Sequence, residues 1–150
     1  MSTPEQRVIL AVGLPGSGKS TWFAERGLTP LSSDHMRLLL SGDEDNQTIH
    51  AEVFETLRYL LVKRLAIGCA ESYVDATNLL RMHRRPFVEL ARRHGARAEA
   101  LWFDTPLDVC LERNRQRARQ VPEEVLRDMH TRLEPPTEEE GFARVERAEA

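Results

Sequence analysis

The chain of 150 residues has the length of one domain, 1–150, enough to bury roughly 68–70% of its unfolded surface. Hydrophobic residues at 41% and charged residues at 30% exclude a disordered or fibrous chain. A net charge of −3 excludes uniform coating of nucleic acid, while the uneven spread of arginine leaves room for a local basic cleft.

The first element is Arg7–Gly13, RVILAVG, an almost unbroken apolar run that predicts a strand buried on both faces, as in a parallel sheet. After a glycine-rich turn, Lys19–Arg26 predicts a helix closed by Gly27 and Pro30. Leu31–Ser33 predicts a short second strand, followed by a helix through Ser41 that Ser33 or Asp34 caps. Gly42–Asn46 is a loop, and Ile49, Val53, Leu57, Leu60, Leu61 and Leu65 recur at helical spacing between Gln47 and Ile67. Ser72–Asn78 predicts a third strand running into a turn. Arg81–Gly95 predicts a helix with Pro86 close to its first turn, and Ala98–Asp104 a fourth strand. Pro106–Gln120 and Pro122–Leu133 predict helices begun by proline, and the polar tail predicts one further helical turn.

Strands alternating with helices predict an α/β doubly wound fold with a mainly parallel sheet of about four strands. Ligands of such sheets bind beyond the carboxyl ends of the strands. That rule selects Gly13–Ser20, Ser33–Arg37, Asp75–Asn78 and Asp104–Pro106. Cys69 and Cys110 sit in no CxxC or Cys/His cluster, which predicts reduced thiols in a cytoplasmic protein. The N-terminus shows no apolar signal region and no apolar run approaches about 18 residues, so neither secretion nor a membrane partner is expected.

Gly13-Leu14-Pro15-Gly16-Ser17-Gly18-Lys19-Ser20 matches G-x-x-x-x-G-K-[ST] at every fixed position, with Thr21 adding a second hydroxyl. The glycines let successive N–H groups curl around an anion, and the following helix turns its positive end to the same place. Lys19 reaches the β- and γ-phosphates of a nucleotide, and the Ser20 hydroxyl ligates Mg²⁺. Asp34 and Arg37, at i and i+3, share one helix face. They suit a carboxylate that takes a proton from a hydroxyl and a guanidinium that holds an anionic acceptor, or equally a helix cap and a solvated arginine. Asp75 can bind Mg²⁺ through water or orient Thr77 and Asn78, or simply serve the turn. On one continuous helix Arg113 and Arg117 align on one face, and Arg115 and Arg119 on another. These rows suit either a solvated basic face or arginines that reach over phosphates.

On these residues the chain resembles the P-loop 5′-OH polynucleotide kinase family and the broader group of small bacterial AAA-like P-loop kinases. The resemblance runs from about Val8 to Phe142, through GLPGSGKST, SSDHMR, VDATNL, FDTPLDVCLERNRQR, VPEEVL and LEPPTEEEGF. It implies a P-loop kinase-type fold with an arginine-rich helical lid near 110–134, and transfer of the γ-phosphate of ATP or another NTP to a polynucleotide 5′-OH with Mg²⁺ or Mn²⁺. In that reading Gly13, Pro15, Gly16, Ser17, Gly18, Lys19, Ser20 and Thr21 hold the nucleotide, with Arg113 and Arg117 as lid arginines and Arg115 and Arg119 as further members. Ser20 is the metal ligand, Asp34 the general base, and Arg37 holds a phosphate of the strand. Asp75, Asn78, Arg84 and Arg85, beside Arg81, face a short single-stranded end, although the basic stretch also reads as an exposed helix face. The family's phosphatase or ligase domains have no counterpart in this chain, so a free-standing kinase or a domain of a larger protein is expected. A kinase of a small metabolite, nucleoside or antibiotic could use the same apparatus. A nucleotide-switched protein assisting tRNA modification would need no acceptor base.

Overall fold

The computed structural model describes residues 5–148. Five strands, β1 (Arg7–Val12), β2 (Leu31–Ser32), β3 (Glu71–Asp75), β4 (Arg97–Trp102) and β5 (Arg144–Arg147), form one parallel sheet in the order β2-β3-β1-β4-β5. The helices are α1 (Lys19–Glu25), α2 (Ser33–Ser41), α3 (His50–Ala66), α4 (Arg81–Arg93), α5 (Leu107–Gln116) and α6 (Glu123–Arg132). Single 3₁₀ turns lie at Gln47–Ile49 and Glu138–Glu140. None of these helices is long and apolar enough to cross a membrane.

β1 is central and buried on both faces, as its apolar run predicts. Val8 and Leu10 meet Leu57 and Leu61 of α3 and Phe87 and Ala91 of α4; Ile9 and Ala11 meet Phe23 of α1 and Phe103. The alternation follows from the two-residue period of a strand. Each fully buried Leu or Phe contributes about 1.5–3 kcal/mol. A third cluster, Leu14, Leu79, Cys110, Leu111 and Leu126, seats α5 and α6 over the strand ends.

The sheet has one strand more than the sequence predicts. β5 lies on the edge of β4, anchored by Ala143 N–H to Ala98 O (2.8 Å) and Ala148 N–H to Trp102 O (2.8 Å). The cap of α2 is Ser32, whose hydroxyl accepts from His35 N–H, rather than Ser33 or Asp34. Helix α5 stops at Gln116 instead of Gln120: Asn114 donates to Val121 O (2.6 Å) and accepts from Val121 N–H (2.9 Å), folding the chain back.

The chain leaves β1 toward β2 and leaves the adjacent β3 toward β4. The two connections run in opposite directions, a topological switch at the carboxyl ends of β1 and β3 where a ligand crevice forms. The glycine-rich loop and Asp75–Asn78 occupy it.

Candidate active site

Gly13–Gly18 forms a tight loop between β1 and α1. Gly13 N–H bonds Thr77 O (3.1 Å) and Ser17 N–H bonds Leu14 O (3.0 Å). A Cβ on Gly13 would lie 2.6 Å from Ser17 Oγ and 2.9 Å from Phe103 Cβ, and one on Gly16 would lie 2.9 Å from Cys110 O. The loop is therefore wedged against β4 and α5, and no side chain fits at those two positions. Thr105 Oγ1 donates to Ser17 O (2.8 Å) and Arg113 Nη1 to Gly16 O (3.2 Å), tying two carbonyls back toward α5. Lys19 Nζ donates to Gly13 O (2.8 Å) and Leu14 O (2.9 Å), so its ammonium is curled over the cradle.

Burial holds the Lys19 ammonium below its ordinary range; Asp75 and Asp34 oppose this, and the charge of Arg117 adds to it. Asp75, at the end of β3 and buried, has its carboxyl pushed up by burial, with Asp34 adding and Lys19 opposing. Lys19, Asp34 and Asp75 thus sense one another across the crevice. The exposed Ser20 hydroxyl and Asp75 supply oxygen donors only. That donor set fits Mg²⁺, which keeps waters and phosphate oxygens as its other ligands.

Asp34 lies in the first turn of α2, half-exposed, and receives two guanidinium groups. Arg37 Nη1 is 3.4 Å from Oδ1, and Arg119 Nη1 is 3.5 Å from Oδ2. Arg37 itself is only 7% exposed, its Nη2 is 3.4 Å from His50 Nδ1, and its Nε finds no partner among the described residues. Arg119 also binds the Asp45 carboxylate and Glu44 O.

The arginine rows predicted for one helix do not exist, because Arg117 and Arg119 lie beyond the end of α5. The charge of Arg117 helps to lower the Lys19 pKa, and Arg113 still borders the cradle through its bond to Gly16 O. Arg115 does not: it is held by Glu123 (2.7 Å) and Glu112 (3.4 Å), fastening α5 to α6. Arg119 serves Asp34 rather than the cradle.

Arg84 is no substrate residue. Its side chain is 0% exposed, pairs with Glu140 (Nε–Oε1 2.7 Å), and donates to Asn78 O (2.8 Å) and Glu134 O (2.9 Å). It shares the inward stripe of α4 with Phe87, Val88 and Ala91, a spacing that was the available warning in the sequence. Arg81 donates to Thr137 Oγ1 (2.7 Å), and Arg85 pairs with Glu89 (3.1 Å) along a groove between α4 and Glu138–Ala143, away from any contact with Asp34 or Lys19. Asn78, with φ 47°, donates to Ala11 O (2.8 Å) and braces the start of the loop, while its buried Oδ1 has no partner among the described residues. Sequence reasoning placed Thr105 in the selected Asp104–Pro106 segment without giving it a role, and gave none to Asn114 or to His50, which lies in no motif.

A phosphate cradle at the head of a parallel sheet, with a carboxylate and a buried guanidinium beside it, defines a P-loop protein of the kinase type. The chain belongs to the AAA domain family AAA_33, which matches residues 8–136. A relative, L-seryl-tRNA(Sec) kinase of Methanococcus maripaludis, is 23% identical over 135 residues, covering 86% of this chain and 53% of that protein. The chain thus spans about half the length of this curated relative. Among solved structures, a chain of the Pnkp1/Rnl/Hen1 RNA repair complex superposes with a TM-score of 0.73 at 21% identity, covering 88% of this chain and 45% of that one. APS kinase CysC of Mycobacterium tuberculosis, in complex with AMPPNP and APS, superposes with a TM-score of 0.60 at 20% identity, covering 98% of this chain and 91% of that one. Both likenesses show the α/β fold with its parallel sheet flanked by helices.

Proposed function

We propose that residues 1–150 are one kinase domain that transfers the γ-phosphate of ATP or another NTP to the 5′-hydroxyl of a short single-stranded nucleic-acid end. The observation that carries this reading is the pairing of Asp34 with a buried Arg37 whose Nε has no partner among the described residues. Such a charge calls for an anion, since an unsatisfied buried donor costs about 1–3 kcal/mol. A polynucleotide end offers the matching pair, a hydroxyl and a phosphodiester close by.

In the reaction the loop N–H groups of Gly16–Gly18 and Lys19 bind the β- and γ-phosphates, Lys19 exchanging the carbonyls of Gly13 and Leu14 for phosphate oxygens. Ser20, with Asp75 behind it, would hold Mg²⁺ or Mn²⁺, which supplies charge neutralisation on those oxygens. Asp34 accepts the proton of the acceptor hydroxyl as its oxygen bonds the γ-phosphorus and the bond to the bridging oxygen breaks, releasing NDP. Arg113 and Arg117 stand on the nucleotide side and Arg37 on the acceptor side. A cytoplasmic setting and a partner phosphatase or ligase domain fit an end-healing role.

A second reading, phosphorylation of a hydroxyl on an aminoacyl-tRNA or a small anionic metabolite, is favoured by the names of the relative and of the APS kinase neighbour. Labelled γ-phosphate is offered to 5′-OH RNA and DNA oligonucleotides, seryl-tRNA and a metabolite panel. Labelled oligonucleotide is expected; label only on another acceptor moves the substrate, and label on none removes the kinase reading. Asp34→Asn is expected to keep NTP binding and lose about 10²–10⁴-fold in transfer, the share of a general base. A nucleotide switch would lose little.

A further inference from the structure

His50 opens α3, outside every motif, yet its ring meets the acceptor side of the crevice. Nδ1 is 3.4 Å from Arg37 Nη2, and the ring packs against Phe54 at a 40° tilt with centroids 4.6 Å apart. A guanidinium has only donors, so the contact requires an unprotonated Nδ1 as acceptor. Arg37 is then held from two sides, by Asp34 at Nη1 and His50 at Nη2, while its buried Nε has no partner among the described residues. Two contacts at 3.4 Å are long for a buried charge, and losing either frees the planar fork to rotate.

We propose that His50 is a positioning residue: through Nδ1 it fixes the orientation in which Arg37 receives the anionic group of the acceptor, and protonation of His50 releases it. The inference rests on the acceptor role given to Arg37 above. Charged and titratable groups on the neighbouring elements bear on the ring. Burial and the charge of Arg37 hold the His50 imidazole below the ordinary histidine range. On α4, burial and the charges of His50, Arg132 and Arg84 hold His83 below the ordinary histidine range, with Glu134 opposing. His83 Nδ1 itself accepts from Leu80 N–H (3.3 Å), so it too is placed as a neutral ring. A lowered imidazole pKa extends the neutral, accepting form to more acid pH than a free histidine allows. Grip on Arg37 is therefore lost as pH falls through the lowered folded-state value.

The test compares wild type with His50→Ala and His50→Gln, using a 5′-OH oligonucleotide as acceptor. His50→Ala is expected to raise the acceptor KM about tenfold with kcat within about twofold, the size of one hydrogen bond to a charged group. His50→Gln, which retains an acceptor oxygen, should restore KM and abolish its rise in acid. An unchanged KM in His50→Ala at every pH, or a KM that rises in acid with His50→Gln as in wild type, overturns the proposal. A second readout needs no acceptor: the ring C–H resonances of His50 are titrated by NMR in wild type and Arg37→Met. The His50 pKa should rise toward its ordinary value in Arg37→Met. If it does not, the pairing is absent and the inference fails. If it does while no oligonucleotide is phosphorylated, the acceptor assignment alone has failed.

Discussion

Arg119 Nη1 lies 3.5 Å from Asp34 Oδ2, joining two residues that are 85 positions apart in the chain. The same guanidinium grips Asp45 and Glu44 on the α2–α3 loop. Arg113, on the last turns of α5, instead bonds Gly16 O of the cradle. One arginine-rich stretch therefore serves both sides of the crevice.

Substitution should separate the two sides. Arg113→Ala is expected to raise the NTP KM about tenfold, the loss of a charge-assisted contact, and to leave the acceptor KM unchanged. Arg119→Ala should do the reverse. It strips Glu44 and Asp45 of their guanidinium and leaves Asp34 with Arg37 alone, so an anionic acceptor is repelled and its KM rises about five- to tenfold, more at low salt. Steady-state kinetics with each substrate varied in turn check this. An equal rise of the NTP KM in both variants contradicts the division.

Arg84 and Glu140 form a buried ion pair between α4 and the C-terminal segment. Removing one member strands the other charge, so Arg84→Ala and Glu140→Ala should each cost about 3–5 kcal/mol. For a chain of this size that is roughly 10 °C in Tm by calorimetry. The double variant should lose less than the sum. With Arg84 tied inward, kcat of the folded fraction stays near wild type; a selective loss of acceptor binding would restore Arg84 to the substrate site.

How far the sequence speaks depends on where the information lies. The cradle and β1 are local: motif spacing and an apolar run dictate them, and both stand where expected. β5 reads RVER, with only Val145 turned to the core, and an edge strand of that kind is held by backbone bonds to β4 that no side-chain pattern announces. The end of α5 is equally silent. RNRQRARQ favours a helix, and the stop comes from Asn114 clasping Val121 across a loop. Arg84 misled because arginine is so often solvent-facing, although its spacing with Phe87, Val88 and Ala91 placed it inward.

Asp75 should trade stability for binding. Its folded-state pKa is raised by burial, so the charged carboxylate destabilises the free protein above the unfolded pKa, and stability is regained as pH falls through the folded value. Asp75→Asn is expected to raise Tm at neutral pH in the absence of nucleotide. The gain should vanish in acid, where the wild-type group is protonated. The same variant should weaken metal-dependent NTP binding. Thermal melts across pH decide: a Tm gain that persists unchanged into acid would mean the carboxylate is not the source.

Gly16 and Gly27 both have positive φ, 82° and 64°, but only one is hemmed in. A Cβ on Gly27 meets nothing within 4 Å, whereas one on Gly16 lies 2.9 Å from the carbonyl oxygen of Cys110 in α5. Gly27→Ala should therefore cost only the left-handed backbone term, about 1–2 kcal/mol. Gly16→Ala carries that term and must also push the cradle off α5, since backbone meets backbone and neither is a flexible tip. The Arg113 bond to Gly16 O and the Thr105 bond to Ser17 O span the same seam. Gly16→Ala is thus expected to lose more stability than Gly27→Ala and to cut NTP affinity at least tenfold at temperatures where it remains folded. Calorimetric Tm and titration with NTP measure both, and equal losses in the two variants with intact NTP binding would show that the loop has room to spare against α5.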